Sequence, residues 1–334
     1  MNADRPQLVV TVDVEPDRQW DDEPVLCLEN LVRLPQLHQL LRDIGARPTY
    51  LVTYSVCTDL ACAEMLSRFA HGNSCEIGAH LHPWDTPPFL PDDGASGPKP
   101  FPSELDAGVL RAKLTSLTDA LGERIGVQPR AYRAGRWGID GAGLRLLEEL
   151  GYRVDSSVTP LASWAHQRGR REGSRGPSFK RAPREPYYPD HADVCRPGPS
   201  AVLEVPVSVG FRARFLERLC SWYQKTPESA PALRALKLWP LRLVWFRPTY
   251  GSARTMIAIG ERLLAAGLPV LNMAFHSSEL LPGGSPYFET ERQVSGFLRR
   301  IEQTLSHFLQ RGLEPATLSE VRPPRMAERG SKRW

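Results

Sequence analysis

The 334-residue chain lacks any apolar run long enough to cross a membrane as a helix. Its longest apolar runs, residues 202–209 and 241–246, fall well short of the roughly 18 residues that a spanning helix needs. We therefore exclude an integral membrane protein. The first residues also lack a basic segment followed by an apolar stretch and a cleavage site, so we expect a cytoplasmic protein.

Cysteine is scarce, and none of the six cysteines belongs to a CxxC pair. Most of them lie among apolar neighbours, which is typical of reduced, buried thiols rather than of a disulfide framework. Two other signatures are missing as well. No GxGxxG follows the first predicted strand, which argues against an open dinucleotide-binding sheet, and no GxSxG elbow is present, which disfavours a serine hydrolase.

Positive charge is in excess only in two segments. The chain has 42 basic and 38 acidic residues, a formal net charge of +4. Residues 168–184 contain seven basic residues and one acidic residue, and residues 322–334 contain five and one, so the rest of the chain carries about −6. This asymmetry argues against a nucleic-acid partner and confines attraction for phosphates to one loop and the tail.

Apolar, β-branched segments alternate with segments of helical periodicity along the chain. Seven strands are predicted, at residues 8–14, 48–54, 75–82, 130–134, 152–158, 202–209 and 270–275. Helices are predicted between them, for example at residues 59–69, 103–121 and 140–151. Strands separated by helices indicate βαβ units and a parallel sheet. At this length a closed α/β barrel is favoured over an open doubly wound sheet.

Two irregular stretches interrupt this alternation. Residues 83–102 contain seven prolines, and we expect a structured surface loop directly after the third strand. Residues 159–200 are rich in Arg, Gly and Pro and are predicted to form a long excursion, partly disordered. No internal repeat is present. The pattern predicts a single barrel domain over residues 1–322, followed by a basic tail over residues 323–334.

Polar side chains that end apolar strands are the candidates for function, because the carboxyl ends of parallel barrel strands share one face. The first strand ends with Asp13 and Glu15, which the period of two places on one side, and Asp17 follows. The third strand ends with His80 and His82, again on one side. The candidates at later strand ends are Arg133, Arg136, Trp137, Asp155 and His276.

Two imidazoles beside carboxylates form a donor set suited to a borderline divalent metal, with positions left for water and substrate. Such a site predicts metal-assisted hydrolysis, in which a carboxylate takes a proton from water and a histidine protonates the leaving group. Each motif alone has a structural alternative, but their coincidence at five strand ends favours function. The remaining histidines fall on helices or loops and are expected to be exposed: His38, His71, His166, His191 and His307.

The candidate residues belong to short motifs in a fixed order. They are T-x-D at 11–13, E-I-G-x-H at 76–80, R-A-x-x-W at 133–137, D-S-S at 155–157 and a late strand ending in His276. This order resembles the polysaccharide deacetylase family, the nodulation-type chitooligosaccharide deacetylase homology domain, over roughly residues 8–158 and 201–320. The resemblance implies a distorted (β/α)7 barrel and a divalent metal, usually zinc, that polarises an acetyl carbonyl under attack by water.

The resemblance also implies roles for individual residues. It makes Asp13 the general base and Arg133 the group that orients this base. It makes His80 a metal ligand and His276 the general acid. Asp155 is a candidate to orient His276.

Two positions depart from the family's pattern. The family has a second aspartate where this chain has Val14, and a second histidine four residues after the first, where this chain has Trp84. Glu15 or Asp17 is therefore expected to supply the missing carboxylate. His82 is the candidate for the missing imidazole.

Aromatic and basic residues near the predicted site indicate a sugar ligand. Trp84, Trp137 and Arg136 are candidate substrate-binding residues, although rings at strand ends also pack as core edge. The basic loop at 168–184 is a candidate site for the phosphates of a nucleotide-linked or lipid-linked sugar. Residues 231–247 alternate Leu and Trp with basic residues, which is compatible with peripheral membrane contact, but a buried helix pair interrupted at Pro240 is favoured.

The sequence thus predicts a metal-dependent hydrolase that removes an N- or O-acetyl group from a glycan or a sugar precursor in cell-surface polysaccharide biosynthesis. Two alternatives stay open. One is a metal-dependent hydrolase of a small non-sugar amide, and the other is a catalytically inactive carbohydrate-binding or scaffolding protein. The oligomeric state is not specified by the sequence.

Overall fold

The computed structural model describes residues 5–21, 26–72, 74–91, 93, 97–213, 217, 219–226 and 243–323. Ten strands are found in these residues: β1 (Gln7–Val14), β2 (Pro48–Val52), β3 (Glu76–Leu81), β4 (Ala131–Ala134), β5 (Val154–Asp155), β6 (Leu203–Glu204), β7 (Val209–Phe211), β8 (Leu243–Trp245), β9 (Val270–His276) and β10 (Glu314–Ala316). Eight of them form one parallel sheet, and β7 pairs with β8 in a separate antiparallel ribbon.

Helices follow most of the sheet strands, as the alternating pattern predicts. The described helices are α1 (Leu34–Asp43), α2 (Tyr54–Thr58), α3 (Leu60–His71), α4 (Ala107–Ile125), α5 (Gly141–Glu149), α6 (Cys220–Lys225), α7 (Ala253–Ala265) and α8 (Glu291–Gln310). Their starts follow local capping chemistry. Asp59 accepts the amide N–H of Cys62 at the start of α3, and Asp140 accepts that of Gly143 at the start of α5.

The sheet curls into the predicted distorted seven-stranded barrel. Its order is β9, β1, β2, β3, β4, β5, β6, and the short β10 extends the sheet beside the first residues of β1. Within the described residues β6 and β9 form no ladder, and Asn272 lies at this gap. Its side-chain amide donates to the carbonyl oxygens of Val205 and Pro206 at 3.2 and 3.3 Å. The Asn272 side chain thus joins β9 to the residues after β6, where the two strands form no backbone ladder.

The inside of the barrel changes from apolar to polar toward the carboxyl ends of the strands. One buried cluster holds inward-facing side chains from successive strands: Val9, Leu51, Ala131, Val154, Leu203 and Val270. Two residues further along β1, Thr11 hydrogen-bonds Asn272, and two further still Asp13 pairs with Arg133. Because side chains alternate along a strand, Val10 and Val12 face the outer cluster that packs against the helices. The polar residues are therefore collected at one end of the barrel.

The excursion at residues 159–200 is packed against the barrel, which corrects the expectation of partial disorder. Leu161, Phe179 and Ala182 are fully buried. The backbone forms local pairs, such as Trp164 N–H to the carbonyl oxygen of Pro177 at 2.8 Å. Its arginines are thus carried on a loop anchored by apolar side chains.

Two expected features fall mostly or wholly outside the described residues. They are the apolar and basic segment at 231–247, of which only residues 243–247 are described, and the tail, described only at residue 323. None of the described helices is long and apolar enough to span a bilayer.

His38 departs from the expectation of an exposed side chain. It lies on α1 and is only 5% exposed. Its ring stacks on Phe69 with the centroids 3.9 Å apart, and its Nδ1 lies 3.0 Å from the Tyr50 hydroxyl. Helical position alone did not reveal this burial, because α1 places His38 on the side that packs against the sheet.

Candidate metal centre

The carboxyl ends of β1, β3, β4 and β9 surround a cavity of about 460 Å³. Most of the sequence-predicted site residues line it: Asp13, Glu15, His80, His82, Trp84, Arg133, Arg136, Trp137 and His276. Asp17 and Asp155 do not. The strand periodicity accounts for this convergence, since Asp13, His80 and Arg133 all occupy inward-facing positions of the barrel.

Glu15, His80 and His82 bring three metal-binding atoms together. The Nε2 atoms of the two histidines are 3.0 Å apart, and Glu15 Oε2 lies 3.4 Å from His82 Nε2 and 3.8 Å from His80 Nε2. Tetrahedral coordination with bonds of about 2.0–2.1 Å separates ligand atoms by about 3.3 Å. The donor set therefore fits one face of a tetrahedral divalent site, with an open position for water or substrate.

The surroundings of the donors leave their lone pairs available. His80 Nδ1 donates to the carbonyl oxygen of Arg133 at 3.0 Å, so His80 Nε2 carries a lone pair. The His82 ring stacks on Trp84 with the centroids 4.4 Å apart. Glu15 Oε1 is buried and has no hydrogen-bond partner among the described residues. Since buried carboxylate oxygens normally have a partner, this atom supports a site built for an additional group.

Burial also sets the protonation of the three donors. It lowers the pKa of His80, lowers that of His82 well below its ordinary value, and raises the pKa of Glu15 to about 7. Both imidazoles are therefore neutral at pH 7 and able to bind a cation. A divalent charge at this position would offset the cost of burying Glu15 as a carboxylate.

Asp13 and Arg133 form a buried ion pair beside the donor set. Arg133 Nη1 donates to Asp13 Oδ1 at 2.6 Å, and its other donors bind Thr11 and Ser156. Burial acts to raise the pKa of Asp13, but the charge and the hydrogen bond of Arg133 hold it below the ordinary value. Asp13 is therefore ionised, and Arg133 occupies its Oδ1 so that Oδ2 faces the cavity.

His276 lies opposite the two metal-binding histidines, at the end of β9. Its Nε2 is 3.6 Å from Asp13 Oδ2. On the other side of the ring, Nδ1 lies 2.9 Å from Arg247 Nη2 and 3.3 Å from Glu279 Oε1. Arg247 and Glu279 pair with each other at 2.6 Å, and although burial acts to raise the pKa of Glu279, Arg247 lowers it to about 2. An ionised pair thus holds the ring with Nε2 toward the cavity.

Asp155 has a different place from the one expected. Val154 belongs to the inner cluster of the barrel, so the alternation of side chains turns Asp155 to the outer side. There Asp155 accepts a hydrogen bond from Ser157 and shares another with Glu204, and burial raises the pKa of both carboxyls. Glu279, not Asp155, contacts His276.

Asp17 is the second correction, because it lies outside the donor set that contains Glu15. Asp17 Oδ2 accepts the backbone N–H of Asn30 at 3.2 Å, and the Asn30 side chain donates to the carbonyl oxygen of Glu15 at 3.1 Å. Asp17 thus holds the loop that follows β1. Of the two carboxylates left open by the sequence, Glu15 and not Asp17 lies with His80 and His82 in the group that could hold a metal ion.

Three charged side chains in or beside the cavity were not among the sequence-predicted site residues: Arg247, Glu279 and Lys99. Glu279 had a detectable signal, since it lies three residues after His276 in the run H-S-S-E and closes a capping box on it. Arg247 had none, because it comes from the β7–β8 ribbon rather than from a sheet strand. Lys99 lies in the proline-rich loop, where the sequence offers no periodicity to orient it.

Neither a family model nor a curated protein sequence matches the chain. A solved structure from Parabacteroides distasonis, provisionally assigned as a glycoside hydrolase/deacetylase, superimposes with a TM-score of 0.59 at 12% identity, covering 95% of this chain and 70% of that one. The chain shares that barrel fold. The comparison supports the polysaccharide deacetylase resemblance at the level of the fold.

Two other solved structures are similar to a lesser degree. A provisionally assigned polysaccharide deacetylase from Mycobacterium smegmatis has a TM-score of 0.46 at 17% identity, with 97% of each chain covered. A family 4 acetyl xylan esterase from Clostridium thermocellum in complex with cobalt has a TM-score of 0.44 at 11% identity, covering 94% of this chain and 89% of that one. With TM-scores below 0.5, we infer nothing about this chain from these two structures.

Proposed function

We propose that the protein is a metal-dependent hydrolase that removes an acetyl group from a glycan or a sugar precursor. The observation that carries the proposal is the meeting of two sets of side chains in one cavity. Glu15, His80 and His82 form a metal-binding face, and beside it lie an ionised Asp13 and His276. A structural core would not gather these groups, because burying so many ionisable side chains is costly.

Glu15 Oε2 and the Nε2 atoms of His80 and His82 would hold the metal. A mixed set of nitrogen and oxygen donors in tetrahedral geometry favours zinc among the divalent ions. The chemistry supplied by the bound ion is polarisation of the acetyl carbonyl and an increase in the acidity of the attacking water.

Asp13 serves as the general base. Arg133 keeps it ionised and holds Oδ1, so Oδ2 is the oxygen that accepts the proton of the water. His276 lines the same cavity, and its Nε2 lies 3.6 Å from that oxygen. His276 then acts as the general acid, and Arg247 and Glu279 keep its Nε2 directed at the cavity.

The lining of the cavity supports a sugar rather than a small apolar amide. Trp20, Trp84, Trp137 and Trp164 contribute ring surface, and Gln19 and Gln167 contribute amide groups able to bind hydroxyls. Rings and amides together match the apolar faces and hydroxyl edges of a pyranose. The related fold from Parabacteroides, assigned as a glycoside hydrolase/deacetylase, agrees with this choice.

Metal analysis tests the proposal first. We expect about one divalent ion per chain in the wild type and far less in His80→Ala and His82→Ala, since each variant removes one of three ligands. His71→Ala is the matched control, because His71 is an exposed histidine outside the cavity. The metal-loaded wild type should then release acetate from N- or O-acetylated sugars.

Two results would contradict the proposal. If the wild type stays free of metal after incubation with zinc, cobalt and nickel, the hydrolytic mechanism fails, and retained glycan binding would identify an inactive carbohydrate-binding protein. If the loaded enzyme leaves acetylated sugars intact but cleaves small amides, the substrate class is wrong.

A further inference from the structure

The cavity is lined by four basic side chains, and two of them have no acidic partner. Arg133 pairs with Asp13 at 2.6 Å, and Arg247 pairs with Glu279 at the same distance. Lys99 and Arg136 form no ion pair in the part of the chain that the structure describes, although both line the same cavity. Unpaired cations in a partly buried pocket are unusual, because burial penalises the charged form.

Lys99 is held in the cavity by neutral groups. Its Nζ donates to the backbone carbonyl oxygen of Gln19 at 3.0 Å and lies 5.0 Å from the centroid of the Trp84 ring. Burial lowers the pKa of Lys99, and the charge of Arg136 adds to this effect, while the carboxylates of Glu15, Asp21 and Asp85 oppose it, Glu15 most strongly. A backbone carbonyl and a ring orient the ammonium group, but they do not neutralise it.

Arg136 is anchored directly beside Lys99. Its Nη1 donates to the backbone carbonyl oxygen of Lys99, and its Nη2 donates to that of Arg168 at 2.9 Å. The guanidinium lies 3.9 Å from the centroid of the Phe101 ring. None of these contacts is to a carboxylate. Burial lowers the pKa of Arg136, and the charge of Glu104, which forms no ion pair with Arg136 in the described part of the chain, opposes this shift.

The backbone that carries Arg136 is strained. Arg136 has φ 54° and Trp137 has φ 62°, so two consecutive residues other than glycine adopt the left-handed conformation. Such residues persist where the surrounding structure requires this conformation, often at a binding site. The Arg136 and Trp137 side chains both line the cavity.

The carboxylates that line the cavity form no ion pair with Lys99 or Arg136 among the described residues, so both cations can bind a negatively charged ligand. Glu15 belongs to the metal-binding set, and Asp13 is paired with Arg133. Asp21 is the remaining carboxylate of the cavity lining, and it is exposed at the rim. None of these neutralises Lys99 or Arg136 by direct contact among the described residues.

The position of the pair relative to the metal-binding residues is set by Trp84. One ring contact places Trp84 4.4 Å from His82, and another places the Lys99 ammonium 5.0 Å from Trp84. Trp84 thus contacts both His82 and Lys99, and a group bound by Lys99 would lie in the same cavity as the donor set.

We propose that Lys99 and Arg136 form a recognition site for an anionic group, a phosphate or a carboxylate, on the acetylated sugar substrate. The inference rests on the proposed function, because it assigns the substrate of the same cavity. The ammonium and guanidinium groups supply charge-assisted hydrogen bonds to the anionic oxygens, and binding neutralises two charges that the protein leaves unpaired. An acetylated sugar without a negative charge forms no charge-assisted hydrogen bonds of this kind and does not neutralise the two cations.

Binding of matched sugars to the zinc-loaded protein tests the inference by calorimetry. The probes are N-acetylglucosamine 1-phosphate, N-acetylglucosaminuronic acid, the neutral methyl N-acetylglucosaminide, and inorganic phosphate alone. We expect at least one charged sugar to bind about tenfold or more tightly than the neutral sugar, with the preference falling as salt is added. The charged sugar with the larger preference identifies phosphate or carboxylate as the recognised group.

Substitutions show which side chains cause the tighter binding of the charged sugar. Lys99→Met and Arg136→Met should each reduce the ratio of charged-sugar to neutral-sugar affinity severalfold. Arg136→Lys keeps the positive charge and should retain part of the preference, which separates loss of charge from disturbance of the loops that Arg136 joins. Arg145→Met removes an exposed cation of α5 outside the cavity and should leave all affinities unchanged.

Several outcomes would overturn the inference. Equal affinity for charged and neutral sugars would do so, as would a preference that survives Lys99→Met and Arg136→Met, or charged sugars that bind no better than inorganic phosphate alone. Acetate release measured on the same samples separates this inference from the proposed function. Deacetylation without charge preference overturns the inference alone, whereas selective binding without acetate release supports the anion site and overturns the deacetylase.

Discussion

Asp13 and Glu15 lie two residues apart at the end of β1, yet their surroundings give them different chemistry. Arg133 contacts Asp13, and the pKa of Asp13 lies below its ordinary value although burial opposes this. Glu15 lacks such a partner, so burial raises its pKa to about 7. Arg133 thus keeps Asp13 ionised, whereas a cation bound beside Glu15 would stabilise the anionic form that burial disfavours.

Conservative substitutions should separate these two roles. Asp13→Asn is expected to keep about one metal ion per chain and to lower acetate release about 10²- to 10⁴-fold, because it removes only the base. Glu15→Gln is expected to lower metal content together with activity, because it removes a ligand. Elemental analysis and acetate release on both variants form the measurement.

Two results would contradict the roles assigned to Asp13 and Glu15. Loss of metal from Asp13→Asn in a protein with an unchanged circular dichroism spectrum would place Asp13 in the donor set. Full activity of the same variant would remove its role as base.

Among the elements, α4 holds the proline-rich loop that carries Trp84. Lys113 on α4 is completely buried, and its Nζ donates to the carbonyl oxygens of Pro83, Thr86 and Pro88 and to Asp93 Oδ2, all within 2.7–2.8 Å. The three N–H donors of one ammonium group are thus shared among four acceptors of the loop, whose described residues 83–91, 93 and 97–101 contain no helix or strand. The proline content makes the loop stiff, and Lys113 fixes it to the barrel.

Replacing this lysine should cost much more than replacing an exposed cation of the same helix. Lys113→Met leaves Asp93 buried without its counter-charge, and we expect the free energy of unfolding to fall by about 3–5 kcal/mol. Arg111→Met, which removes an exposed pair with Glu149, should change it by about 1 kcal/mol or less. Urea unfolding of both variants provides the values, and equal losses would show that Lys113 has no special structural role.

At the scale of the whole molecule, the stability of the barrel should depend on His38. Burial lowers the pKa of His38 from 6.5 to about 4. Between these values the unfolded chain binds a proton that the folded chain does not, so the free energy of unfolding falls as the pH falls from 6.5 toward 4. His38 alone contributes up to about 1.4 kcal/mol per pH unit in this window.

Substitution of His38 should therefore flatten the acid side of the stability curve. In His38→Gln the free energy of unfolding is expected to fall less steeply than in the wild type between pH 6.5 and 4, even if the variant is less stable at pH 7. His71→Gln, at the exposed end of α3, should keep the slope of the wild type. Parallel slopes for His38→Gln and the wild type would show that another group controls this pH dependence.

Much of the fold and part of the candidate site followed from local patterns. The inward positions of Asp13, Glu15, His80 and His82 follow from the period of two along apolar strands, which acts within a few residues. The same rule does not predict the side on which Asp155 lies, because a strand of two residues is too short to show which of its side chains face inward. Val154, its neighbour, belongs to the inner cluster.

The sequence by itself determined the alternation of strands and helices, the parallel barrel and the residues at the strand ends, because backbone geometry and apolar periodicity are local. Only the tertiary structure decided between Glu15 and Asp17, brought Arg247 and Glu279 to His276, and left Lys99 and Arg136 without a carboxylate partner among the described residues. These contacts join loops and strands far apart in the chain. Their distances depend on how the whole barrel closes, which no local pattern encodes.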